Sequence, residues 1–74
     1  MKIRELASKS TVLIAGMVNK ENDCEKIKLI IKHNFELLQT CSHIVVILNK
    51  SDDISEQEFK NVFNLFKNTF PKKF

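Results

Sequence analysis

The chain has 74 residues, enough for one small domain that buries roughly 60% of the surface its unfolded form exposes. Hydrophobic residues make up 43% and charged residues 28%, the balance of an ordinary globular chain and not of a disordered one. The net charge is +3, but the basic residues are scattered apart from Lys72 and Lys73, and the concentrated basic face of a nucleic-acid binder is missing.

Ile3, Leu6 and Ala7 are spaced for a short helical segment ahead of the first strand. Thr11 to Val18 (TVLIAGMV) is an almost unbroken apolar run, the pattern of a strand covered on both faces in a parallel sheet. The polar connection Asn19 to Asp23 (NKEND) follows, and Asn22 with Glu25 three residues on resembles a capping box that starts a helix. From Cys24 to Gln39, Ile27, Ile30, Ile31, Phe35 and Leu38 recur at helical spacing and predict one continuous amphipathic helix.

His43 to Leu48 (HIVVIL) is a second apolar strand, which the polar cluster from Asn49 ends. Ser55 and Glu58 form a second capping box. Behind it Phe59, Val62, Phe63, Phe66 and Phe70 make an apolar stripe, read as core and not as a cofactor box, and Pro71 terminates the helix. Strand, helix and strand of these lengths form a βαβ unit with parallel strands. The expected fold class is α/β: a partial Rossmann-like βαβ unit with two parallel strands and two to three flanking helices.

Two such strands alone would both be sheet edges. Residues 1–74 therefore look like a single small or truncated α/β domain, the opening third of a larger one, and self-association through exposed strand edges is expected. Nothing in the chain approaches the ~20 apolar residues of a membrane span, and the N-terminus lacks the apolar region of a secretory signal, so a cytoplasmic location is expected. Cys24 and Cys41 are read as buried or half-buried thiols. On one helix they would lie about 25 Å apart, too far for a disulfide. His33 and His43 have no nearby ligand or nucleophile in the sequence and are read as solvated or capping residues.

Open α/β sheets bind ligands beyond the carboxyl ends of their strands. Asn19–Asp23 and Asn49–Ser55 occupy that rim here, and both are rich in groups that hydrogen-bond a base or a sugar. The same residue types also turn chains and cap helices.

The stretch Asn49-Lys50-Ser51-Asp52-Asp53-Ile54-Ser55 resembles the Asp/Asn-x-Ser-x-Asp-x-Thr/Ser motif of GT-A type glycosyltransferases. The opening ELASKSTVLIAGMVNKEND is similar to the start of such enzymes, with Asn19 and Glu21 near their Arg/Lys-Asn-Glu stretch. The resemblance covers nearly the whole chain. It implies a nucleotide-sugar (nucleoside) binding portion, with Asn19, Glu21, Asn49, Ser51 and Asp53 as nucleotide-binding residues. In it Asn49 and Asp53 would sit near base and ribose, Ser51 would shape the turn and Ser55 would cap the helix. Lys50 and Ile54 depart from the family's commoner small or polar residues. The family's Asp-x-Asp metal motif and catalytic base have no counterpart in these residues, so no catalytic residue and no cofactor is identified. A divalent cation is expected only with a further C-terminal part, and these residues alone would be inactive.

Two other readings stand beside it. Asn49, Lys50 and Asp52 are similar to the Asn-Lys-x-Asp guanine-recognition motif of GTPases, although the phosphate loop G-x-x-x-x-G-K-[ST] is missing. The third is a non-catalytic interaction module that exposes its strands to a partner. The expected partner is thus a nucleotide or nucleotide sugar, or another protein surface, but not a nucleic acid.

Overall fold

The computed structural model describes residues 1–6 and 10–74. Its elements run β1 (Lys2–Leu6), β2 (Thr11–Val18), α1 (Cys24–His33), α2 (Phe35–Thr40), β3 (His43–Lys50) and α3 (Glu56–Thr69). The sheet order is β1-β2-β3, so β2 is the central strand. It pairs antiparallel with β1 and parallel with β3, with Thr11 opposite His43 and Val18 opposite Lys50. The parallel βαβ pair matches the expectation. The chain is a small mixed α/β unit, and no described helix is long and apolar enough to cross a membrane.

The segment expected to open as a helix is a strand instead. Ile3 is half-buried between exposed Lys2 and Arg4, an alternation of period two, and it sits opposite fully buried Ile14. Leu6 belongs to the same strand and is exposed, while Ala7 lies outside the described residues. With β1 in place β2 has no free edge, and the two outer edges of the sheet belong to β1 and β3.

The helical layer covers one face of the sheet only. Val12, Ile14 and Val18 of β2 and Ile44 and Leu48 of β3 are buried, joined by Ile27, Ile31, Leu38, Val62, Phe66 and Phe70 from the helices. The alternate residues of the same strands point the other way, and Met17, Val45 and Ile47 remain exposed. The expectation of strands covered on both faces therefore fails: the apolar runs are real, but their second face is open.

The predicted Cys24–Gln39 helix is broken at Asn34. The Asn34 side-chain amide donates to the Ile30 carbonyl at 2.8 Å, and its backbone N–H is shared between Ile30 and Ile31 carbonyls. A short amide that bonds the preceding turn competes with helix continuation. Ile27, Ile31 and Leu38 stay buried on either side of the break while Phe35 is exposed, its ring 5.5 Å from that of Phe70. Cys41 is buried, Cys24 is half-buried, and both are free thiols.

Beyond α3 the tail returns to the sheet. The Ile44 N–H donates to the Lys73 carbonyl at 2.9 Å, and the Lys73 ammonium donates to the Cys41 carbonyl at 2.6 Å. At the opposite edge Gly16 lets the N-terminus lie against β2, because a Cβ there would stand 2.8 Å from the Met1 Cα. Gly16→Val should therefore push Met1 off the sheet and lower the urea midpoint, whereas the same change at exposed Met17 should not.

Phe66 is fully buried. Truncation to Ala removes about 3–5 kcal/mol, against a total stability of about 4–11 kcal/mol for a chain of this size. Phe66→Ala should lose most cooperative unfolding by circular dichroism, and a parent-like melt would place Phe66 outside the core.

Candidate functional site

The parallel register decides where the two polar loops meet. Val18 and Lys50 are paired, so Asn19 and Ser51 leave the sheet side by side. The Ser51 N–H donates to the Val18 carbonyl at 3.0 Å, carrying the ladder one step past the strands. The Asp53 carboxylate then closes the gap. It accepts the Lys20 backbone N–H at 3.3 Å and the Ser51 hydroxyl proton. The two loops predicted to share the rim are thus tied to each other.

Within the first loop the Asn19 side-chain oxygen accepts the Asn22 N–H at 2.8 Å. That turn takes Asn22 out of the capping position expected for it. Asp23 caps α1 instead, its carboxylate accepting the Glu25 and Lys26 N–H groups at 3.1 and 3.3 Å. Glu25 pairs outward with Lys28 at 3.2 Å. In the second loop Ser55 caps α3 as expected, accepting the Glu58 N–H at 3.1 Å and donating back to the Glu58 carboxylate.

Ile54, a departure from the glycosyltransferase pattern, is buried in the core, and Phe59 five residues on packs against that core. These are the two positions of a hydrophobic staple across a helix N-cap. The residue that spoils the motif is the one that pins this loop to the domain.

The five residues expected to bind a nucleotide fall into two groups. Asn19, Ser51 and Asp53 are engaged in the turns and in the bond between loops. Glu21 and Asn49 are free: neither side chain has a hydrogen-bond or ion-pair partner among the described residues, and both are available to a ligand. Asn49 projects from the open face of the sheet, while Lys50 turns to the helical side and donates to the Ser51 carbonyl at 3.1 Å. Asp52 is exposed and likewise free of intrachain partners among the described residues.

The rim can do hydrogen-bond chemistry: exposed carboxylates and amides accept from base or ribose, and a carboxylate with two bonds retains lone pairs for a third. Among the described residues no three His, Cys, Asp or Glu side chains converge as a metal site.

One groove went unnoticed in the sequence. It runs between α1 and α3, has a volume of about 470 Å³, and is lined by Cys24, Lys28, Asn61, Asn64 and Asn68 among others. The Asn residues sit one helical turn apart, a spacing that could have been read. Burial, aided by the Asp23 carboxylate, pushes the Cys24 thiol up.

The chain matches no protein-family model, no curated protein and no solved structure.

The bond from the Ser51 hydroxyl holds the Asp53 carboxyl below its ordinary value, and the Lys20 N–H adds to that. A carboxyl depressed on folding contributes stability above its unfolded value, about 3.9, and loses it as pH falls through the lower folded value. Asp53→Asn should therefore lower the urea midpoint at pH 6 and flatten its decline below about pH 4. Identical acid profiles for parent and variant would show that the carboxylate does not tie the loops in solution.

Proposed function

We propose that this chain is the nucleoside-binding portion of a nucleotide-sugar-dependent glycosyltransferase and does not transfer sugar by itself. The observation that carries this reading is the joined rim. Two polar loops leave neighbouring parallel strands and are held together through Asp53, at the end of the sheet where such folds take their ligands. In this reading Asn49 and Glu21 supply the free hydrogen-bonding groups, and Asn19, Ser51 and Asp53 hold the loops in shape, with Asp53 still able to accept from a ribose hydroxyl. Transfer also requires a positive group for the departing diphosphate and a base for the acceptor hydroxyl, and the resemblance assigns neither to these residues.

A specific observation favours one other reading. Asp52, not Asp53, is the carboxylate left free, and it is the residue that a guanine-recognition loop would direct at the two N–H donors of the base.

Calorimetry with UDP, GDP and their sugar conjugates separates these. Uridine nucleotides should bind weakly, near a Kd of about 1 mM, with or without magnesium. Binding should fall several-fold in Asn49→Ala, which alters an exposed residue, and persist in Asp52→Ala. Guanine-selective binding lost in Asp52→Ala would transfer the assignment to the second reading. No binding of either nucleotide would leave the chain a partner-binding module.

A further inference from the structure

The side of the sheet away from the helices combines apolar surface with charge of a single sign. From the strand registers its positions are Lys2, Arg4 and Leu6 of β1, Thr11, Leu13, Ala15 and Met17 of β2, and His43, Val45, Ile47 and Asn49 of β3. Leu6, Met17, Val45 and Ile47 are each more than 40% exposed, too many for isolated surface hydrophobics. No carboxylate stands among the eleven positions. Lys2 and Arg4 make no ion pair with a described residue. Between them the small Ala15 side chain leaves a hollow of about 210 Å³, floored by Leu13 and Ala15 and walled by the two basic residues.

We propose that this open face docks an acidic amphipathic helix of a protein partner. A helix is the element that covers the second face of a sheet with parallel strands. Its apolar stripe would lie along Leu13, Met17, Val45 and Ile47, with one side chain set in the hollow above Ala15. Carboxylates on the flank over β1 would meet Lys2 and Arg4, and the flank over β3 would meet the uncharged Asn49 side. The asymmetry of charge fixes the direction in which the helix lies. An anionic membrane is a poorer fit, because two cations on one margin fall short of the four to eight that hold a segment to acidic lipid. Asn49 alone is common to this face and the rim, and neither the hollow nor the two cations involve it.

The test uses a fluorescein-labelled synthetic peptide about five helical turns long, with leucines along one face and glutamates beside it. Its control carries lysines for the glutamates. The glutamate peptide should bind the full chain, and the lysine peptide should bind at least tenfold more weakly. Raising salt from about 0.05 to about 0.3 M should weaken the first and not the second. The double variant Lys2→Glu/Arg4→Glu should reverse the preference. Ala15→Leu fills the hollow without touching charge and should weaken binding about tenfold while circular dichroism stays that of the parent. Equal binding of both peptides, or of neither, would overturn the proposal. So would preferential capture by phosphatidylserine vesicles, or a concentration-dependent dimer in light scattering that Ala15→Leu abolishes.

Discussion

The pairing of β2 on both sides is the constraint that the rest of this molecule obeys. Val12 and Ile14 are fully buried, and they can be so only because β1 and β3 take the backbone groups on either edge while the helices cover one face. An unpaired amide at that depth costs more than most side-chain contacts return. The parallel register with β3 then places Ser51 beside Val18, and from that single neighbour relation come the meeting of the loops, the Asp53 bridge and the start of α3. The rim is thus a product of the sheet, and its hydrogen bonds serve the fold before they serve any ligand.

What this does to the candidate site is divide it by role. Groups that close turns are spent on backbone N–H donors or, for the Ser51 hydroxyl, on the Asp53 carboxylate, and groups beyond the turns stay free. A motif of alternating Asn, Ser and Asp residues satisfies both demands with the same letters. The turn-forming role is directly visible in Asn19, Ser51 and Asp53, whereas the side chains of Asn49, Glu21 and Asp52 have no partner among the described residues.

Much of the fold was legible in the residues. The apolar runs at Thr11–Val18 and from His43 marked the strands, the crossover length marked them as parallel, and Ser55 with Glu58 located the start of α3. The misreadings share a cause, since each turns on which of two partners a short segment finds. Ile3 and Leu6 are three apart, which suits a helix, yet β2 offered a free edge and the segment took it. Asn34 lies inside a good helical stripe, but its amide reaches Ile30 and breaks the turn. Apolar residues at both faces of β2 and β3 suggested two covers, and periodicity cannot say whether the second cover belongs to this chain. Ile54 looked like a defect in a motif because the same position is also the one before the Ser55 cap, where a staple with Phe59 calls for an apolar residue.

The order of strands also bears on how the chain finds its structure. β1 and β2 are joined by the four residues 7–10, so their antiparallel ladder closes a short loop at little entropic cost. The partners Thr11 and His43 are instead separated by a crossover that includes both α1 and α2. Hairpins form in about 1–10 μs, while pairings that span a long crossover must wait for its helices to shorten the path. The break at Asn34 divides that crossover into two short rods, of ten and six residues, so the path from Val18 back to His43 is spanned in two straight steps in place of one long one.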